Sequence, residues 1–140
     1  KINQYDIVIV DSSDPIGPAK VLFEESFYQS IYEALKEDGL MVCQSQSPIF
    51  HAEVMEQTYK RIKGLYPKTE IYTAVVPTYP GGLWSFTIGS KQYITPVLDR
   101  LYHKDTHYVN PQIIDRCFSL PQFMMERLSQ IKKIQEANYD

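Results

Sequence analysis

Hydrophobic residues alternate between short unbroken runs and helical spacing along the first third of the chain. Residues 7–10 form a continuous β-branched run, which is typical of a strand buried on both faces of a helix-covered sheet. Apolar side chains recur at helical spacing over residues 24–37, and Asp38-Gly39 provides a C-terminal stop. Residues 40–43 are again continuously apolar. The pattern therefore predicts a strand, a helix and a second buried strand.

The middle of the chain predicts another helix and a pair of strands. Residues 52–65 carry apolar side chains at helical spacing, and Pro67 ends the pattern. Residues 70–76 are rich in β-branched side chains and residues 84–89 form a further strand pattern, with the turn cluster 77–82 between them. Because this connection is short, the two strands can form an antiparallel pair.

Two helices are predicted near the C-terminus. Asn110-Pro111 and Leu120-Pro121 each place a proline at the first helical position after an N-cap. The second helix carries three apolar residues on one face, namely Met124, Leu128 and Ile131. Strands alternating with helices predict an α/β fold, and a sequence without repeats or linkers predicts one domain over residues 1–140.

Composition and charge narrow the class of protein. The chain is 44% hydrophobic and 22% charged, which excludes disordered, collagen-like and disulfide-stapled proteins. Its net charge of −3 provides no basic surface for nucleic acid or an anionic membrane, and suits cationic ligands better. No apolar run approaches the roughly 20 residues that span a bilayer, and the first residues lack the basic, apolar and small-residue pattern of a signal peptide. A soluble, cytoplasmic protein is therefore expected.

Two further features concern the cysteines and the first residue. Cys43 and Cys117 are too few and too far apart for a disulfide framework or a zinc site, so they are expected to be free, buried thiols. The sequence starts with Lys1 and reaches its first predicted strand within four residues. It is therefore expected to be part of a longer protein.

Polar residues follow the predicted strands at the points where those strands end. Asp11 and Asp14 follow the first strand, Gln44 follows the second, and Tyr79 lies in the turn after the third. Ligands of doubly wound sheets bind beyond the carboxyl ends of the strands. The four residues therefore share one rim if the first two strands are parallel neighbours. Two carboxylates, an amide and a phenol predict a site for an amine.

Other interpretations of these residues stay open. Asp and Ser in a loop rich in Pro and Gly commonly form turns and cap backbone groups, and Gln44 and Tyr79 taken singly are more often structural. The two acidic residues with His51 would make a weak metal site, because no ligand pair has a recognised spacing. His51 is interpreted as a capping or packing residue and Trp84 as packing in the core or at its rim.

Two strings in this sequence resemble those of a known family. Residues 11–18 (DSSDPIGP) and 77–80 (PTYP) resemble the spermidine synthases, which are polyamine aminopropyltransferases. The resemblance runs from the first residues to about Arg127, with supporting matches that include Tyr28 and Gln44. It implies the C-terminal half of a methyltransferase-like Rossmann fold, a mixed sheet with helices on both faces. A small β domain and a Gly-rich donor-binding half would lie upstream.

The resemblance also implies roles for the rim residues. Asp11 matches the catalytic aspartate that takes a proton from the attacking amine, and Asp14 matches the acidic residue that holds the amine substrate. Gln44 and Tyr79 match residues that line the polyamine site.

The implied activity is transfer of an aminopropyl group from decarboxylated S-adenosylmethionine to a diamine such as putrescine, which gives spermidine and 5′-methylthioadenosine. The donor is a co-substrate, with Pro18 and Leu22 at the wall of its nucleoside pocket, and no metal or tightly bound cofactor is expected. The intact enzyme is expected to be a homodimer or larger homo-oligomer, and the isolated chain to be inactive and prone to association. The alternatives are an S-adenosylmethionine-dependent methyltransferase and a non-catalytic half that binds polyamine or a partner chain.

Overall fold

A four-stranded mixed sheet organises the residues that the computed structural model describes, which are 2–13, 16–94 and 106–137. The strands in chain order are β1 (Tyr5–Val10), β2 (Leu35–Gln44), β3 (Lys68–Val75) and β4 (Leu83–Ser90). Their order in the sheet is β1-β2-β4-β3. The β1–β2 pair is parallel, and β4 pairs antiparallel with both β2 and β3. The predicted mixed α/β sheet and the antiparallel pair are therefore confirmed.

Within the described residues, four α-helices and one 3-10 helix connect and cover the strands. The α-helices are α1 (Glu25–Ala34), α2 (Ala52–Leu65), α3 (Pro111–Arg116) and α4 (Gln122–Ala137), and the 3-10 helix spans Gly17–Phe23. The bounds of α2 are those predicted from its apolar spacing. In the described part of the chain, no helix combines the length and the apolar character that crossing a membrane requires.

Helix α1 ends three residues before the predicted end at Glu37. Leu35 already has extended backbone angles and pairs with Tyr5, while regular pairing resumes where Ile7 meets Leu40. Residues 36–39 thus form an irregularity within β2. A Cβ at Gly39 would lie 2.9 Å from the Leu35 Cβ, so this glycine permits the close turn of the strand. Asp38-Gly39 therefore marks a bend in β2 and does not end a helix.

One face of the sheet carries the core. Met41 and Cys43 of β2 are buried against α1 and α2, in a cluster with Tyr28, Ile31, Leu35, Ile62 and Tyr66. A Cβ at Gly89 would lie 2.6 Å from Ile62 Cγ2, so the glycine in β4 lets α2 approach the sheet closely. The helices are thereby fixed on this face, which is called the covered face below.

Helix α4 extends the covered face at the β3 side. Met124 and Leu128 are buried against Met55, Tyr59 and Ile71, as their helical spacing predicted. The side chain of the third predicted residue, Ile131, lies outside the described part.

Of the two helix starts predicted near the C-terminus, the structure confirms the first and corrects the second. Asn110 Oδ1 accepts a hydrogen bond of 2.8 Å from the backbone N–H of Ile113, so the predicted cap of α3 is confirmed. Helix α4 begins at Gln122, and the Pro121 carbonyl accepts from the Met124 N–H. Pro121 therefore precedes that helix, and the prediction that it takes the first helical position is wrong by one residue.

The opposite face of the sheet is much less covered. Ile7 and Ile9 point to it and are 56% and 73% exposed, whereas Val8 and Val10 pack against the covered face. The prediction that β1 is buried on both faces is wrong for the described residues, because α1, α2 and α4 all pack on the side of Val8 and Val10. On this second face, called the open face below, Phe118 after α3 contacts Tyr72 of β3.

Candidate active site

The carboxyl ends of β1 and β2 form one side of a cavity on the open face. Val10 pairs with Cys43 in the parallel register, so the next residues, Asp11 and Gln44, lie side by side. The loop between β3 and β4 brings Tyr79 to the same place. These three residues line a cavity of about 350 Å³. Three of the four rim residues expected from the sequence are thus brought together.

Apolar and aromatic residues line the rest of the cavity, including Val10 and Cys43, whose side chains point to the covered face. They are Ile9, Val10, Val42, Cys43, Tyr72, Val76, Trp84 and Phe86. Among the described residues that line the cavity, Asp11 is the one carboxylate. A negative charge at the end of an apolar cleft suits a ligand with a cationic head and a methylene chain.

Tyr72 contributes a neutral phenol to this wall. Its ring stacks on Phe86 with the ring centroids 5.0 Å apart. Burial raises the pKa of Tyr72 to about 12, and the neighbouring thiols Cys117 and Cys43 add to the shift. The phenol therefore stays protonated near neutral pH, so Tyr72 can donate a hydrogen bond but cannot act as a base there.

Gln44 lies at the centre of a hydrogen-bond network. Its Nε2 donates to the Ser12 carbonyl over 2.9 Å. Its Oε1 accepts from the backbone N–H of Gln46 and from the indole N–H of Trp84, each over 3.0 Å. The Gln44 side chain is 7% exposed, so these contacts fix it within the protein.

The β3–β4 turn positions Tyr79. Successive backbone hydrogen bonds close residues 76–82, including one of 2.9 Å from the Gly82 N–H to the Tyr79 carbonyl. Gly81 has φ of 78°, and a Cβ there would lie 2.8 Å from the Phe50 ring, so this position requires glycine. The Tyr79 ring contacts the Trp84 ring with centroids 4.5 Å apart. Tyr79 is thereby held at the cavity while it stays exposed.

A second cavity of about 250 Å³ lies beside the first. It shares Gln44, Tyr79 and Trp84 with the first cavity and adds Ser12, Ser13, Gln46, His51 and Pro80. Gln46 has φ of 70°, a left-handed conformation that a non-glycine residue adopts at a cost and that is common at functional sites. The residues Gln44, Tyr79 and Trp84 therefore line both cavities.

The structure changes the interpretation of His51 and extends that of Trp84. His51 occupies the N-cap position of α2, but its side chain makes no capping hydrogen bond, so the capping interpretation is wrong. Trp84 is buried as expected for packing, yet it also lines both cavities. The sequence missed this second role because the register that pairs β4 with β2 is a long-range feature.

Three further residues were predicted to belong to the site, namely Pro18, Leu22 and Asp14. Pro18 and Leu22 lie in the 3-10 helix and are not among the residues that line either cavity. Asp14 lies outside the described residues. The roles expected for these three residues stay predictions.

The two cysteines are free thiols, as the sequence predicted, although Cys117 is only half-buried. Burial raises the pKa of the Cys43 thiol to about 12, so Cys43 is unreactive at neutral pH. No group of three or more His, Cys, Asp or Glu side chains is placed to hold a metal ion within the described ranges.

Comparison with known sequences identifies a family. A family model described as "Spermine/spermidine synthase domain" matches residues 1–99. The polyamine aminopropyltransferase of Caldicellulosiruptor saccharolyticus is 46% identical over 126 residues, covering 89% of this chain and 45% of that protein. The polyamine aminopropyltransferase of Shouchella clausii is 45% identical over 128 residues, covering 90% of this chain and 46% of that protein. The chain spans about half the length of these curated relatives.

Solved structures match the fold over the same share of the chain. A spermidine synthase in complex with the transition state analogue AdoDATO gives a TM-score of 0.84 at 35% identity, covering 92% of this chain and 46% of the other. The spermidine synthase from Thermotoga maritima gives a TM-score of 0.81 at 36% identity, covering 92% and 45%. The sheet and its helices therefore match those of spermidine synthases, a methyltransferase-like Rossmann fold.

Proposed function

Because this chain belongs to the spermine/spermidine synthase family, we propose that its open-face cavity is the amine-binding part of an aminopropyltransferase site. The observation that carries the proposal is the cavity that Asp11 and Tyr79 line together with apolar walls. The acceptor is a diamine such as putrescine, and the donor is decarboxylated S-adenosylmethionine. The products are spermidine and 5′-methylthioadenosine.

Asp11 acts as the general base. An alkylammonium with a pKa of about 10 is only about 0.1% deprotonated at pH 7, whereas the nucleophile must be a neutral amine. In the reaction, the amine nitrogen bonds to the propyl carbon while the carbon–sulfur bond breaks and its electron pair stays on sulfur. The proton that the amine loses passes to Asp11. A positioned base of this kind contributes roughly a hundred- to ten-thousandfold in rate.

The remaining cavity residues hold the acceptor in line with the donor. The apolar walls around Val42 and Phe86 fit the methylene chain of a diamine, and Tyr79 lines the same cavity. Asp14 holds an ammonium by a charge-assisted hydrogen bond. Pro18 and Leu22 contribute to the nucleoside pocket. Since a sulfonium is already a good leaving group, positioning rather than a metal supplies the rest of the acceleration.

Exchanging the donor tests this proposal against a methyltransferase of the same fold. The protein, expressed from its full reading frame, is incubated with putrescine and either decarboxylated S-adenosylmethionine or S-adenosylmethionine, and the products are identified by mass spectrometry. We expect spermidine and 5′-methylthioadenosine with the decarboxylated donor alone. Methylated putrescine with the other donor would establish the methyltransferase instead. Binding of putrescine without product from either donor would establish a non-catalytic module.

A further inference from the structure

We infer that Trp84 is a positioning residue: its indole N–H orients the Gln44 amide, and that amide holds the loop that carries Asp11. This loop, residues 11–13, is called the Asp11 loop below. The hydrogen bonds are observed in the structure, and their role in catalysis rests on the proposed function.

Trp84 is placed to act on both sides of the site. It is the second residue of β4 and is 6% exposed. One part of its side chain contacts the Tyr79 ring, and its Nε1 donates to Gln44 Oε1 over 3.0 Å. Trp84 is therefore the contact between the β3–β4 turn and the end of β2.

The orientation of the Gln44 amide follows from its donors. A carbonyl oxygen has two lone pairs, and Gln44 Oε1 accepts two N–H groups, from Trp84 and from Gln46. Turning the amide over would place its NH₂ group against both donors. The NH₂ group must therefore point away from them, to the Ser12 carbonyl 2.9 Å away.

This arrangement gives Gln44 a role different from that of an ammonium ligand. Both acceptor positions of Oε1 are occupied by protein N–H groups, so the oxygen has no free lone pair for the N–H of a substrate ammonium. The NH₂ group of Gln44 instead donates to the carbonyl of Ser12, the residue next to Asp11. Gln44 thus supports the Asp11 loop, and Trp84 supports Gln44.

The first test is spectroscopic and is independent of activity. Trp84 is the single tryptophan of this chain, and in an isotope-labelled sample expressed from the full reading frame its indole N–H resonance is the one that Trp84→Phe removes. We expect this proton to exchange slowly with water and to exchange at least tenfold faster in Gln44→Met, which removes the acceptor at similar volume. An exchange rate unchanged by Gln44→Met would overturn the inference whatever the enzyme's activity.

The second test is a double-mutant cycle on turnover. Trp84→Phe keeps a ring against Tyr79 but removes the N–H, and Gln44→Glu keeps both acceptor contacts but removes the donor to Ser12. We expect each variant to lower kcat about tenfold, the loss typical for one buried hydrogen bond, with KM for putrescine within about twofold in Trp84→Phe, which adds no charge to the cavity. On the inference, Trp84→Phe weakens the contact between the Gln44 amide and the Ser12 carbonyl, and Gln44→Glu removes that same contact, so the double variant should be about as slow as either single one.

The outcomes separate the inference from the proposed function. Additive losses of about a hundredfold in the double variant would show that Trp84 and Gln44 act independently, and would overturn the positioning role. An unchanged kcat in Trp84→Phe would overturn it as well. If Trp84→Phe fails to fold, Gln44→Glu alone must still show the kcat loss. If the unmodified protein transferred no aminopropyl group, the proposed function would be wrong. The exchange measurement would still test the hydrogen bond between Trp84 and Gln44.

Discussion

The side chains on the two faces of the sheet come from the same strands but have different roles. On the covered face, Met41 and Cys43 are fully enclosed by α1 and α2. On the open face, Val42 and Gln44 of the same strand line a cavity of about 350 Å³. Successive side chains of a strand point to opposite faces, so packing and ligand contacts can be assigned to alternate residues. The core on one face therefore fixes the backbone from which the site on the other face is built.

Cys43 and Gln44 show this division at neighbouring positions. The Cys43 thiol is buried in the core, and burial raises its pKa to about 12. The Gln44 side chain instead contacts Ser12, Gln46 and Trp84 around the candidate site. Changes on the open face should therefore affect turnover or binding, and changes on the covered face should affect folding.

The largest effect is expected at Asp11. Asp11→Asn keeps the size of the side chain but removes the base, so kcat should fall at least a hundredfold while donor binding is retained. Asp6→Asn, at the other end of β1, is the matched control and should keep full turnover. An Asp11→Asn protein that retains more than about a tenth of the rate, where chemistry limits, would show that Asp11 is not the base.

The next largest effect is expected in the core. Met41→Ala removes a fully buried side chain from the covered face, so the free energy of unfolding should fall by roughly 2–5 kcal/mol in urea titrations. Val42→Ala, on the open face, is only half-buried and should cost less. The rate per folded molecule should change little in Met41→Ala. If Val42→Ala were the more destabilising of the two, the assignment of the faces would be wrong.

A moderate effect on binding is expected at Asp14. Loss of one charge-assisted hydrogen bond in a desolvated site costs about 1.5–3 kcal/mol, so Asp14→Asn should weaken putrescine binding roughly tenfold or more. Binding of the nucleoside should be nearly unchanged when each ligand is titrated separately by calorimetry. Asp38→Asn removes the same charge from an exposed bend in β2 and serves as the control. Equal losses for both ligands would indicate a structural defect in the loop.

The smallest effect is expected at the exposed pair of Asp6 and Lys36. Hydrogen bonding and charge attraction from the Lys36 ammonium, 2.9 Å away, lower the pKa of Asp6. A lowered pKa in the folded state stabilises the fold at neutral pH, and this contribution disappears as the pH falls through that value. Because the pair is exposed, Asp6→Asn should change the Tm least of all these variants. A large pH-dependent loss of Tm would contradict this.

Local patterns in the sequence predicted most of the fold. Residues 52–65 have clear helical spacing and a proline stop, and α2 has those bounds. The predicted end of α1 was wrong, because Leu35 continues the helical pattern of apolar residues and is equally suited to a strand. The prediction that Ile9 is buried was wrong, because an unbroken apolar run does not show which face of the sheet is covered.

The candidate site was predictable where it depended on strand ends. Asp11 and Gln44 meet because parallel neighbouring strands end at the same edge, which the order of elements already implies. The position of Trp84 depends on the pairing of Gln44 with Phe86, which places Trp84 beside the Gln44 amide. That register joins residues about forty positions apart, and no local pattern encodes it.

Fluorescence of Trp84 tests most directly whether the open face binds a diamine. Trp84 lines both cavities and is the single tryptophan of this chain, and a Trp84→Phe variant corrects for emission from any other part of the full reading frame. Putrescine and 1,4-butanediol have the same carbon chain, but only putrescine is cationic. We expect a saturable change in Trp84 emission with putrescine, little change with the diol, and a weaker response in Asp11→Asn. An unchanged emission with putrescine, or an equal response to the diol, would contradict an amine site on the open face.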